Sequence, residues 1–177
     1  MGVCGANFQS KMNNSKCYPP NVTGVSCSGA FVVPDEEQSL IASIDAAGLT
    51  PFRFHGWIGK RLTASYGWHY DFADADFAPA APIPDWLLPL RDRAARFVYL
   101  QPDELAQVML IRYEPGAGIG WHRDHRVFGD ILGVSLGAPA MLRFRRLRPG
   151  AGGYDRASLS LPPRSIYHGE SQVRTRL

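Results

Sequence analysis

The chain has 177 residues, 45% hydrophobic and 20% charged, the composition of an ordinary soluble globular protein, long enough for one domain with a sizeable core. No apolar run approaches the ~20 residues of a membrane helix, no charged segment followed by an apolar one marks a signal peptide, and Ala6 stands where N-myristoylation wants Ser or Thr, so these classes are excluded. The net charge of +3 hides an asymmetry: residues 1–111 carry 8 basic and 11 acidic side chains, whereas residues 112–177 carry 11 and 5, all 11 of them Arg. Arg forks suit phosphate oxygens, although a high-GC coding sequence produces the same excess. Cys4, Cys17 and Cys27 are odd in number and show no zinc spacing, which points to a reducing, cytoplasmic setting.

Residues 1–30, rich in Ser, Asn, Gly and Cys, read as a disordered or extraneous extension. The domain is expected over 31–177. Pro34-Asp35-Glu36-Glu37 starts a helix that continues through Leu40, Ile41 and Ile44 and stops at Gly48. Phe52 to Ile58 is extended, and Leu62 to Tyr70 reads as a strand leading into Tyr66-Gly67-Trp68-His69-Tyr70. After an Ala/Pro loop, Asp85 caps a second helix with Trp86, Leu87, Leu90, Ala94 and Phe97 on one face, and Pro89 kinks or restarts it. Pro102-Asp103-Glu104 adds a short turn. From there short strands are predicted over 107–113, 120–122, 131–136, 140–147, 157–161 and 164–168, as in an all-β barrel or jelly roll. Helices first and strands after give an α+β, mainly β fold, with N-terminal helices packed on the β core.

The chemistry gathers at Tyr113-Glu114-Pro115-Gly116-Ala117-Gly118-Ile119-Gly120-Trp121-His122-Arg123-Asp124. A His and a carboxylate two residues apart on an extended strand point to one side. They supply two thirds of a 2-His-1-carboxylate triad, which suits non-haem Fe(II) and leaves positions open. Gly129 stands where a kinase loop needs Asn, and no Lys-Ser/Thr follows the glycines to make a phosphate loop. His168, at the end of a strand-like run, is the candidate third ligand.

This segment resembles the metal-binding segment of the AlkB-like 2-oxoglutarate- and Fe(II)-dependent dioxygenases. The resemblance extends, in order, through Gly59-Lys60-Arg61, Tyr66 to Phe72, Pro82 to Leu87, Gly133 to Leu136, Leu142 to Arg145 and Leu161 to Ser165. It implies a double-stranded β-helix (jelly roll) with His122 and Asp124 as iron ligands, Tyr113 and Ser135 at 2-oxoglutarate, and Trp68, with Tyr70, against a flipped base. Strand packing is the other reading of Tyr113 and Ser135, and a core position that of Trp68. The family pattern places the distal His past Leu177, so His168 falls on a turn residue and the expectation is a C-terminally incomplete member with little turnover. The implied activity is oxidative dealkylation of bases in DNA or RNA by a monomer, with no membrane partner. The same iron chemistry on a protein, lipid or small molecule is an alternative, as is a non-catalytic nucleic-acid-binding remnant. The arginines from Arg143 to Arg148 either hold a phosphate backbone or form the polar face of a strand.

Overall fold

Pro34 opens the first helix where a missing backbone N–H costs nothing, and three acidic residues in the first turn face the positive end of its dipole. This is seen in a computed structural model that describes residues 24–54, 57–71, 76–124, 128–148, 150 and 152–170. In chain order, strand β1 (Val25–Ser28) precedes helix α1 (Pro34–Ala46), then strands β2 (Thr50–Phe54), β3 (Trp57–Tyr66), β4 (Trp68–Asp71) and β5 (Asp76–Pro79). Helix α2 (Leu88–Phe97) is followed by β6 (Val108–Arg112), β7 (Ile131–Ser135), β8 (Ala140–Leu147), β9 (Tyr154–Leu161) and β10 (Ser165–Gly169). Among the described residues the regular structure is therefore mostly strand, with few helices, as the alternating apolar runs predict.

The described residues divide into two compact units. In the unit of Ala42–Gly120, β3 lies between β2 and β6, antiparallel to both, with Leu62 opposite Arg112 and Tyr66 opposite Val108. Gly67 separates β3 from β4. Its φ of +78° suits glycine, and a Cβ there would collide with the Ala106 carbonyl oxygen. The Gly67 N–H donates to the Ala81 carbonyl and its own carbonyl accepts from Ala80, which fixes where β4 begins. Asp85–Leu87 forms a single 3-10 turn before α2, and Pro89 falls in the first turn of α2, where the helix restarts rather than kinks.

The second unit holds residues 24–41 and those from Trp121 onward. Here β10 is the centre of an antiparallel sheet, paired with β1 on one side and β7 on the other. Ser165 and Ile166 are fully buried in it, and Gly133 of β7 leaves the space that the Tyr167 ring fills. A separate hairpin pairs β8 with β9. Its inward residues Leu142, Phe144, Leu159 and Leu161 pack with Val25, Cys27 and Tyr167. Strand β1 lies within the stretch read from sequence as an extension; residues 1–23 lie outside the described residues. Cys27 is disulfide-bonded.

Glu37 ties this unit together. It is 8% exposed, accepts from the Gly137 N–H at 2.9 Å and pairs with Arg164 at 2.9 Å. Arg164 has a φ of +64°, a conformation that costs a side-chain-bearing residue roughly 1–2 kcal/mol. The ion pair holds it there, and the Arg164 N–H donates to the Ser135 carbonyl at 2.7 Å.

Candidate metal centre and flanking binding residues

The strand expected over 120–122 does not form. Glu114-Pro115-Gly116-Ala117 instead closes a turn, with the Ala117 N–H on the Glu114 carbonyl at 2.8 Å and Gly116 at a φ of +79°. Pro at the second position and a positive-φ Gly at the third are what a type II turn requires. The glycines that follow offer no side chains for a pleated surface, so residues 118–124 run without a ladder.

His122 and Asp124 nevertheless converge. Nε2 of His122 lies 3.4 Å from Oδ1 of Asp124, and both side chains are partly open to solvent. Two ligands ~2.1 Å from a shared cation stand roughly 3.0 Å apart at a right angle and about 3.5 Å apart at a wider one. An imidazole and a carboxylate at this spacing fit two neighbouring positions on Fe(II). Among the described residues, no group of three or more His, Cys, Asp and Glu gathers around a common point. His125, the next residue but one after Arg123, lies outside the described residues.

His168 is in the same unit, but its Nε2 sits 3.1 Å from Oδ1 of Asp130 and its ring is largely covered. The structure thus brings His122 and Asp124 together and gives His168 a different carboxylate. Asp130 precedes β7, and β7 pairs with β10 so that Leu132 faces His168; that register carries the contact. The sequence held no local signal for it.

Ser135 closes β7 opposite buried Ser165. Tyr113 belongs to the other unit, just past β6, and is half-exposed. Burial of its hydroxyl raises its pKa above the usual phenol value, and the nearby Arg61 guanidinium opposes that shift. The phenol therefore stays protonated near neutral pH and can donate a hydrogen bond to a carboxylate oxygen. Arg61 is a residue that sequence reasoning passed over except as part of a motif. It stacks on Phe52 at 3.8 Å, and its Nε is buried without a hydrogen-bond partner among the described residues.

Trp68 and Tyr70 occupy one face of β4 and both meet Phe77 of β5. Trp68 is 42% exposed and touches Phe77 edge-on, at a centroid distance of 6.4 Å. Tyr70 is only 5% exposed and packs at 5.1 Å. Trp68 thus presents exposed ring surface for stacking, and Phe77 contacts both it and Tyr70.

A profile described as the 2OG-Fe(II) oxygenase superfamily matches residues 50–174. A protein of Arabidopsis thaliana called "Alkylated DNA repair protein ALKBH8 homolog" is 27% identical over 185 residues, covering 85% of this chain and 50% of the relative. "Uncharacterized protein L905" of Acanthamoeba polyphaga mimivirus is 26% identical over 170 residues, covering 89% of this chain and 70% of that protein. The chain thus spans half the length of the first of these relatives.

Proposed function

We propose, from the premise that this chain belongs to the 2OG-Fe(II) oxygenase superfamily, that it acts in the oxidative dealkylation of alkylated nucleic-acid bases. The family uses Fe(II) and 2-oxoglutarate, and by family the chain is a 2-oxoglutarate-dependent Fe(II) dioxygenase. The observation that carries the reading is the His122–Asp124 pair, held 3.4 Å apart behind a glycine-rich turn within the matched segment. The reference to alkylated DNA in the name of the Arabidopsis relative supports the choice of substrate. We read the domain, β1 included, as a double-stranded β-helix and the protein as a cytoplasmic monomer. Among the described residues, no helix is long and apolar enough to cross a membrane.

His122 and Asp124 would hold the iron. When bound with 2-oxoglutarate, Fe(II) supplies the oxidation of an alkyl carbon by O2. The protein's part is to bind and orient. The Tyr113 hydroxyl, protonated near neutral pH, is the proposed donor to 2-oxoglutarate, and Ser135 is the second residue we assign to that cosubstrate. The exposed Trp68 ring stacks on the flipped base, with Tyr70 and Phe77 bracing it. An oligonucleotide carrying an N-methylated base, incubated with the protein, Fe(II), 2-oxoglutarate and air, tests this. Formaldehyde release, slow in keeping with the little turnover expected from the sequence, that is lost in His122→Ala and has a raised KM in Trp68→Ala is expected. Succinate formation with no change in the base would move the substrate to a protein, lipid or small molecule.

A further inference from the structure

The β8–β9 hairpin has two chemically distinct faces. Directly opposed residues in an antiparallel pair share a face, and alternate residues switch faces. Leu142 opposite Leu159 and Phe144 opposite Ala157 point into the core. Farther along that face, Arg146 and Arg148 both bond Asp155, at 3.3 and 2.7 Å. These two arginines are therefore committed to a structural clamp.

The other face carries Arg143 opposite Ser158 and Arg145 opposite Arg156, flanked by Ser160 and Tyr154. Arg143, Arg156, Ser158 and Tyr154 are all exposed. Among the described residues, no carboxylate pairs with Arg143, Arg145 or Arg156. Three guanidinium groups without a carboxylate partner among the described residues give this small surface a positive potential that favours an anionic ligand.

Arg145 is held by two aromatic rings. Its guanidinium carbon lies 4.6 Å from the Trp121 ring centre and 4.8 Å from that of Tyr154. Stacking between ring faces leaves the in-plane N–H fork of Arg145 free for oxyanions. Trp121 and Tyr154 are themselves 49% and 42% exposed, so each keeps surface on which a base can stack. Trp121 also immediately precedes His122, in the same unit, so the stack anchors the metal-binding segment to this face.

We propose that the outer face of the β8–β9 hairpin is a track for single-stranded nucleic acid. Arg143, Arg145 and Arg156 take consecutive phosphates, and Trp121 and Tyr154 stack bases beside the His122–Asp124 pair. Residues two apart on a strand stand roughly 6.7 Å apart, a spacing suited to successive phosphates of an extended chain. This rests on the nucleic-acid reading above and adds the surface that delivers the substrate. Arg146 and Arg148, committed to the Asp155 clamp, are excluded from it.

The test is fluorescence anisotropy of a labelled, unalkylated single-stranded oligonucleotide, as DNA and as RNA, at several salt concentrations. The pair Arg143→Gln/Arg156→Gln is compared with Arg146→Gln/Arg148→Gln, which removes the same charge from the opposite face. The first pair should weaken binding at least tenfold and flatten the log–log salt slope by about 1.4, at ~0.7 per phosphate contact. The second should leave the slope near wild type. Equal loss in both pairs, or no loss in the first, overturns the track while leaving the substrate reading intact. Failure of the wild-type protein to bind either strand at low salt overturns the track together with the nucleic-acid reading.

Discussion

Replacing Glu37 by Ala removes one carboxylate that serves two turns. It deletes the acceptor for the Gly137 N–H, at the end of β7, and the counter-charge for Arg164, before β10. The lost hydrogen bond to a charged group is worth roughly 1.5–3 kcal/mol. The ion pair lies between an exposed pair at about 0–1 kcal/mol and a buried one at about 3–5 kcal/mol, because Glu37 is nearly covered while the Arg164 side chain is 34% exposed. The two contributions overlap in one side chain, so the expected loss is about 3 kcal/mol, or a fall in Tm of roughly 6–12 °C for a protein of this size. Glu37→Gln keeps a neutral acceptor and should cost about half as much. Arg164→Gly should cost less than Glu37→Ala, since it loses the pair but relieves the positive φ. Thermal denaturation followed by circular dichroism, with the double mutant completing the cycle, measures the coupling. A Glu37→Ala protein melting within about 2 °C of wild type, or additivity of the two substitutions, would refute the reasoning.

The Asp155 carboxylate is held below its usual pKa, first by hydrogen bonds from Arg148 and Arg146. A depressed folded-state pKa adds stability above the unfolded value near 4, and that stability drains away as pH falls through the folded value. Melting curves should therefore show a loss of stability below about pH 4 that is smaller in Asp155→Asn, and equal slopes would contradict the assignment. Gly67→Ala should lower chemical-denaturation stability by about 2 kcal/mol or more, because the new Cβ meets the Ala106 carbonyl at a left-handed φ. Gly116→Ala, equally left-handed but with open space around it, should cost only about 1 kcal/mol by the same measurement.

Much of this was legible in the sequence for identifiable reasons. Strand β8 was predicted over its observed span, Ala140–Leu147, because Leu142 and Phe144 alternate with polar residues. Helix α1 was announced by Pro34 and three acidic residues, and the restart at Pro89 by the rule that proline fits only a first turn. The failure at 120–122 came from treating a glycine-rich stretch as extended when Pro115-Gly116 commits the chain to a turn just before it. The His122–Asp124 convergence survived that error, because the two side chains meet without a ladder. What sequence order does not encode is which distant groups meet. Asp130 beside His168, Glu37 beneath Arg164, and Trp121 against Arg145 all depend on pairings across two dozen residues or more, and Tyr154 reaches Arg145 only through the β8–β9 hairpin. Arg143 to Arg148 form one basic run in the sequence, and only the register of β8 with β9 separates the clamp from the open face.

The proposed role of His122 and Asp124 in holding iron is open to anaerobic calorimetric titration of the folded protein with Fe(II), with and without 2-oxoglutarate. 2-Oxoglutarate is expected to bind only when metal is present. His122→Ala and Asp124→Ala should each weaken Fe(II) binding by at least about tenfold while melting at the wild-type temperature. Unchanged Fe(II) affinity in both variants, or unchanged 2-oxoglutarate binding after chelation, would contradict that role.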